Sequence, residues 1–333
     1  MKTAKIIKSL FAAISPLLVF ASTNGANAQT VARIAFVAPA SVQTSMRPAK
    51  YATYNQIFSM NPDGSGVVQL TSIATLLDDP KWSPDQQYIA FVCTNYLMVM
   101  RADGSGSFKV VPATGAGGID WSPDGTKLIY TNPLKSSDGT YHDDLYVVSV
   151  DPAAGTVGTP ELFAPGPSYD PNWSDDGSKV AFDRYPTSGT GLSSIIVRDV
   201  ATGAEYNLSA LLAVTAAPNN WFWGPHWSPD GTMLAFEGDE RITTTTQKGK
   251  NTTTTTTETP VEVFIANADG SDLFQVTPST QSVLPASWSV WPAWSPDGLS
   301  LAFVNGNSGI YTTVLGTGVF TFLNAGRTPD WNP

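Results

Sequence analysis

The chain has 333 residues, with 18 basic and 28 acidic side chains, a formal net charge of −10, 42% hydrophobic residues and one cysteine. That acidity repels nucleic acid and anionic lipid surfaces, so neither is expected as a partner. The lone cysteine excludes an internal disulfide framework, and a chain of this length can bury enough surface to do without one.

Lys2, Lys5 and Lys8 precede an apolar run from Leu10 to Ala21, and Ala26-Asn-Ala28 follows. This three-part order predicts an export signal over 1–28 and a single mature domain over 29–333, periplasmic or secreted. Removing three lysines and no acids moves the net charge from −10 to −13. No later segment approaches about 18 uninterrupted apolar residues, so no membrane insertion is expected after cleavage.

The first strand signal is Arg33-Ile-Ala-Phe36, and one phrase then recurs. Trp82, Trp121, Trp173, Trp227 and Trp294 each open Trp-Ser-Pro-Asp-Gly or a near variant of it. An apolar triplet follows each time: Ile89-Ala-Phe91, Leu128-Ile-Tyr130, Val180-Ala-Phe182, Leu234-Ala-Phe236 and Leu301-Ala-Phe303. Pro presets φ and Asp-Gly suits a tight turn, so the tryptophan strand turns directly into a second strand. A third strand, such as Tyr96-Leu-Met-Val-Met100, a second turn, such as Ala102-Asp-Gly104, and a fourth strand complete the unit. Cys93 falls in the second strand of its repeat, where it reads as a small buried apolar residue rather than a nucleophile.

A four-stranded unit cannot bury both faces alone, so neighbours must stack on it and the series must close. The opening strand at Arg33 lacks its own tryptophan strand, and Trp331-Asn-Pro333 supplies the missing one. The predicted fold is therefore all-β: a six-bladed β-propeller with four antiparallel strands per blade, its first blade completed by the C-terminal strand.

The Trp-Ser-Pro-Asp-Gly phrase, the Asp-Gly turn and the Leu70-Thr71 ending resemble the WD40-like repeat of TolB-type β-propellers, over essentially the whole mature chain. That resemblance implies a periplasmic or secreted propeller that acts by binding other proteins. TolB proteins carry an α/β domain ahead of the propeller. Only a few residues separate Ala28 from Arg33, so no such domain is expected here.

Alternating strand direction puts both tight turns of every repeat at one end and the variable connections at the other. Variable loops on a repeating scaffold carry recognition residues, which makes the long-loop end the candidate functional face. Trp221-Phe222-Trp223, Trp288 and Trp291 there suit protein or carbohydrate contact, or else fill space beneath a loop. Asp79, Asp120, Asp170 and Asp330, with His226 and Asn172, lie one or three residues before repeat tryptophans. Gathered around one axis, the four carboxylates form either a Ca²⁺ site or a solvated, hydrogen-bonded channel rim. His142, beside Asp143 and Asp144, is solvated or poised as a base; Arg184-Tyr185 and Arg47 with Tyr51 are the remaining candidates for chemistry. No Gly-x-Ser-x-Gly elbow occurs. The Thr-rich stretch from Thr243 to Thr257 is either a β-ribbon or a mobile loop.

These features predict a monomeric, non-catalytic exported propeller that binds a protein or peptide on its long-loop face, with no cofactor unless the aspartates hold Ca²⁺. The alternative is a carbohydrate-active or hydrolytic propeller, of lyase, lactonase or glycosidase type, using acidic rim residues and histidine.

Overall fold

Six small sheets, none sharing a strand ladder with its neighbour, form the computed structural model. It describes residues 32–46, 48–112, 118–135, 141–186, 193–215, 220–248, 251–278, 284, 288–306 and 309–333. The expected export signal and Arg47 lie outside these residues.

In chain order the strands are β1 (Ile34–Met46), β2 (Ala49–Met60), β3 (Val68–Gln69), β4 (Leu77–Trp82), β5 (Tyr88–Cys93), β6 (Tyr96–Arg101), β7 (Phe108–Pro112), β8 (Ile119–Trp121) and β9 (Lys127–Lys135). Next come β10 (Tyr141–Asp151), β11 (Thr156–Val157), β12 (Glu161–Ala164), β13 (Ser168–Trp173), β14 (Lys179–Arg184), β15 (Ser194–Asp199) and β16 (Glu205–Asn207). After helix α1 (Leu208–Thr215) follow β17 (Asn220–Trp227), β18 (Met233–Lys248), β19 (Asn251–Glu258), β20 (Glu262–Asn267) and β21 (Phe274–Gln275). The last are β22 (Ser289–Trp294), β23 (Ser300–Asn305), β24 (Gly309–Val314), β25 (Phe320–Ala325) and β26 (Arg327–Trp331).

Blade 1 has the order β26-β1-β2-β3, so the closing strand comes from the far end of the chain. Ile34 faces Trp331 and Ala35 faces Asp330. Beyond the ladder, the Asn332 N–H donates to the Arg33 carbonyl at 2.9 Å, and the Arg33 N–H donates to Asn332 Oδ1 at 2.6 Å. Blades 2, 4 and 6 run β4 to β7, β13 to β16 and β22 to β25. Blade 3 places β11 and β12 side by side on β10, and blade 5 carries β19 as an extra strand on β18.

The repeat turn is a closed hydrogen-bond unit. Its serine Oγ donates to the aspartate two residues on at 2.6–2.7 Å, in the pairs Ser83/Asp85, Ser122/Asp124, Ser174/Asp176, Ser228/Asp230 and Ser295/Asp297. The same oxygen accepts the N–H of Tyr88, Lys127, Lys179, Met233 or Ser300 at 2.9–3.0 Å, which fixes where the next strand begins. Gly125, Gly177, Gly231 and Gly298 take φ of 66° to 71° here. In blade 2, Gln86 holds the equivalent position at φ 61°.

The apolar triplet records how blades stack. Side chains alternate along a strand, so the outer two residues face one neighbour and the middle one faces the other. Val180 and Phe182 pack with Ile129 and Leu145 of blade 3, while Ala181 packs with Phe222 and Trp227 of blade 5. Leu234 and Phe236 likewise join the cluster between blades 4 and 5, and Ala235 the cluster between blades 5 and 6. The same division holds for Ile34-Ala35-Phe36, Ile89-Ala90-Phe91, Leu128-Ile129-Tyr130 and Leu301-Ala302-Phe303. The core is thus six interblade clusters, each joining the outer residues of one blade's triplet to the middle residue of the preceding blade's, which is alanine except for Ile129.

Three details differ from or refine the sequence reading. Cys93 is half-buried at the end of β5, and burial raises its thiol pKa. The segment after Asn207 forms α1, a helix that the four-strand repeat does not call for, whose Ala210 N–H donates to Asn207 Oδ1 at 2.8 Å as an N-cap. The Thr-rich stretch is a ribbon, paired from Arg241↔Glu258 to Lys248↔Asn251.

The packing yields a stability prediction. Ala181 is fully buried, so Ala181→Leu overfills the contact between blades 4 and 5 and should cost about 1–3 kcal/mol. Urea denaturation measures the loss. Leu299→Ala, at an exposed turn position, should change little.

Candidate functional site

Strands β26, β4, β8, β13, β17 and β22 lie innermost and pack against one another around the axis. Each is interrupted three residues before its tryptophan. Asp79, Gly118, Asp170, Gly224, Trp291 and Thr328 all take positive φ, between 45° and 93°. Across β4, β13, β17 and β22 the register gains one residue at this point, the signature of a β-bulge. Gly tolerates the conformation, and Asp does so with a short polar side chain; a β-branched or large aromatic residue there is strained.

The bulge turns two positions toward the channel. The residues three before the tryptophans, including Asp79, Asp170, Trp291 and Thr328, line a cavity of about 150 Å³ toward the long-loop end. Those immediately before them include Asp120, Asn172, His226, Ala293 and Asp330, which line one of about 270 Å³ toward the tight turns. Lys81 also belongs to this tier and reaches the long-loop cavity. The unequal offsets of the four predicted aspartates are therefore two tiers of one channel.

Most of these acids bridge blades. Asp330 Oδ2 accepts the Trp82 N–H at 2.8 Å, Asp120 Oδ2 the Trp173 N–H at 2.6 Å, and Asn172 Oδ1 the Trp227 N–H at 2.7 Å. Nearer the long loops, Asp79 Oδ2 accepts the Ile119 N–H at 3.0 Å, Asp183 Oδ2 the Gly224 N–H at 3.0 Å, and Glu237 Oε1 the Trp291 N–H at 2.8 Å. Each bond joins one blade to the next. Among the described residues, no group of three or more His, Cys, Asp or Glu side chains is arranged to hold a metal ion. The Ca²⁺ reading thus gains no ligand set, and the geometry is that of a hydrogen-bonded channel rim.

Charge is unevenly distributed around the axis. Lys81 lies 3.7 Å from Asp79 and 3.8 Å from Asp330, and Arg327 lies 2.7 Å from Asp78. Burial works against the Lys81 charge, yet the surrounding carboxylates hold its proton more tightly than usual. Burial raises Asp120 to about 7, Asp330 to about 6 and Glu237 to about 8, although hydrogen bonds from Trp173, Trp82 and Trp291 pull the other way. Burial and then Lys81 keep His226 neutral, with its proton affinity well below the usual range. Asp183, 1% exposed, and Asp170, which opens onto the channel, lie within hydrogen-bond reach of each other, and burial raises both.

The aromatic candidates separate by strand alternation. Trp221 and Trp223 share one face of β17, with their rings in an edge contact, and the Trp223 Nε1–H donates to Glu237 Oε2 at 2.6 Å. Phe222 points the other way, 1% exposed between Phe236 and Phe264. Its place as a binding residue is corrected accordingly: it belongs to the core. Trp291 and Tyr185 are exposed at 37% and 40%, and Trp288 is half-buried. Arg184 turns outward to a double hydrogen bond with Glu205, away from the channel. The His142 backbone pairs with Leu134 in the β9–β10 hairpin, but its side chain falls outside the described residues. Tyr51 lies on the exposed β1–β2 ribbon.

Sequence reading missed Lys81, Asp183 and Glu237. A signal for the latter two exists: they follow Phe182 and Phe236, where other repeats place Val37, Val92 or Val304. An acid after the apolar triplet of a buried strand requires a partner.

Lys81 is the test of this electrostatic arrangement. Lys81→Met leaves buried carboxylates without their cation and should cost about 3–5 kcal/mol at pH 8. For carboxyls whose folded pKa is raised, stability is greatest below the unfolded value and declines as pH rises through the folded one. Asp330 near 6, Asp120 near 7 and Glu237 near 8 place that decline between about pH 4 and 8. The depressed His226 acts oppositely below its unfolded value, but it is one group against several. Thermal melts should therefore show the Lys81→Met defect shrinking from pH 8 to pH 5.

No protein-family model matches the chain. Over 221 residues it is 28% identical to the Tol-Pal system protein TolB of Mannheimia succiniciproducens, covering 60% of this chain and 48% of that protein. The chain thus spans about half the length of that relative. Among solved structures it matches TolB from Acinetobacter baumannii with a TM-score of 0.61 at 19% identity, covering 90% of this chain and 66% of the other. It matches putative TolB from Agrobacterium tumefaciens with a TM-score of 0.57 at 19% identity, covering 89% and 91%. At that identity the two structures establish the fold. Joined with the Mannheimia alignment, they identify this chain as a six-bladed β-propeller homologous to the TolB proteins.

Proposed function

We propose that the chain is an exported, non-catalytic propeller that binds a protein or peptide partner at the long-loop mouth of its channel. One observation carries this reading: Trp291 is 37% exposed and takes φ 55° at a position where two other blades have glycine. A strained, solvent-facing aromatic at a cavity mouth serves contact better than folding. Tyr185 adds a second exposed ring near the same mouth, set edge-on against Tyr169.

The scaffold supports a partner larger than a small molecule. The hairpins after the second strands of blades 1, 3 and 5 continue as paired ribbons to Met46↔Ala49, Lys135↔Tyr141 and Lys248↔Asn251. In blade 2 the corresponding link is Thr94-Asn95 alone. Three arms from alternate blades thus extend the long-loop face. The relative from Mannheimia is named as part of a Tol-Pal system, which agrees with work in a protein assembly. An export signal over 1–28 would place the propeller in the periplasm or outside the cell.

Residues 29–333, immobilised and exposed to envelope extract, test the proposal. Trp291→Ala should weaken capture of a retained protein at least about tenfold, as expected for an interface anchor, whereas Asp63→Ala at a tight turn should not. Capture indifferent to both Trp291→Ala and Tyr185→Ala would overturn it. Retention of oligosaccharides alone would favour the carbohydrate reading.

A further inference from the structure

Seven acids cluster along the channel, and its cations sit on one side of it. Asp78, Asp79 and Asp330 of blades 2 and 1 pair with Arg327 and Lys81. Across the axis, Asp170, Asp183 and Glu237 of blades 4 and 5 make no ion pair among the described residues. Asp120 holds the Trp173 N–H between the two groups. The other groups facing the unpaired three are Lys81 and Asp79, which line the same cavity and act on Asp170 from beyond ion-pair distance, with Tyr185 and the neutral His226.

A second observation points to a missing group. Asp183 is 1% exposed and its Oδ1 meets no hydrogen-bond donor, although Oδ2 accepts the Gly224 N–H. Its neighbour is the Asp170 carboxyl, which lines the long-loop cavity with Glu237 and Trp291. A buried carboxylate oxygen without a donor requires a proton or a cation. Lys81 is held at Asp79 and Asp330 on the other side of the cavity, so the two touching carboxyls can share a proton, which a second cation bound against them would displace.

We infer that this cavity receives one basic side chain, a lysine or arginine on an extended segment of the partner, with its charged head at Asp170 and Glu237. The inference rests on the partner-binding reading above. About 150 Å³ suits one unbranched side chain, and Trp291 with Pro171, Pro292 and Pro329 offers apolar walls to its methylene stem. An aromatic face beside an acid pair also attracts an organic cation. The partner segment would enter between the three ribbons, head first, and its backbone would remain at the rim.

A peptide pair tests this on residues 29–333. Calorimetry and tryptophan fluorescence are read for N-acetyl-Gly-Lys-Gly-amide and for the same peptide with its lysine acetylated, which is neutral. The charged peptide should bind and the neutral one should bind at least about tenfold more weakly, as expected for loss of a charge-assisted contact. Affinity should rise from pH 6 to pH 8, with heats that vary with buffer ionisation as the shared proton leaves. Asp170→Asn should lower affinity by about tenfold while leaving the melting temperature within a few degrees. Equal binding of the two peptides would overturn the inference, as would saturable Ca²⁺ binding that the charged peptide does not displace. The peptide pair needs no variant, so a folding defect in Asp170→Asn cannot mask the answer. If neither peptide binds while partner capture still depends on Trp291, the basic-side-chain inference falls and partner binding stands; if capture also ignores Trp291, both fall.

Discussion

Among the described residues no strand ladder crosses from one blade to the next, so everything in this propeller depends on how six two-faced sheets hold their neighbours. Apolar stacking provides adhesion but little register, because it is non-directional. Register comes from side chains near the axis that reach across to a neighbour's backbone: Asp330 to Trp82, Asp79 to Ile119, Asp120 to Trp173, Asn172 to Trp227, Asp183 to Gly224 and Glu237 to Trp291. The donors are free for this because these strands are the inner edges of their sheets, where alternate N–H groups point away from the ladder. Carboxylates suit the task because an ionised carboxylate only accepts and has room for more than one donor. The consequence is an axis dense in negative charge, balanced only along part of its circumference.

The architecture is visible in the sequence because the residues that specify it are local and repeated. The serine and aspartate of the turn close on each other two residues apart, and the apolar triplet reports the two faces of one strand. Ring closure is visible because a strand type is missing at one end and present at the other. The channel is less legible. Positive φ has no residue signature when Asp79, Gly118, Trp291 and Thr328 all adopt it, so two tiers of one channel resemble an irregular spacing. Phe222 reads like its tryptophan neighbours until strand alternation assigns it to the opposite side. Helix α1 was legible in principle from Asn207 before Leu-Ser-Ala-Leu-Leu, but a position that is strand elsewhere in the repeat outweighed the cap.

Function and scaffold share residues here, which shapes how recognition can evolve. Glu237 anchors both the Trp223 indole and the Trp291 backbone, so the rim aromatics are fixed by the same group that fastens blade 5 to blade 6. Asp170 is different, since it opens onto the channel while touching Asp183 behind it. Substitutions that retune the mouth are therefore best tolerated at Asp170, Tyr185 and Trp291, and least at Asp183 and Glu237. The ribbons of blades 1, 3 and 5 lie outside this constraint and are free to lengthen.

The closing strand also sets an order of events in time. Arg33 and Asn332 are 299 residues apart in sequence yet bonded to each other, so blade 1 cannot gain its innermost strand until Arg327–Trp331 has emerged. Long-range pairing of this kind forms late, because loop closure must precede any return from the contact. The entropy of closing a loop grows only slowly with length, so the delay adds little to the final cost. A chain threaded end-first across a membrane would thus remain an open spiral of blades during passage, becoming a ring only once its last tryptophan arrives.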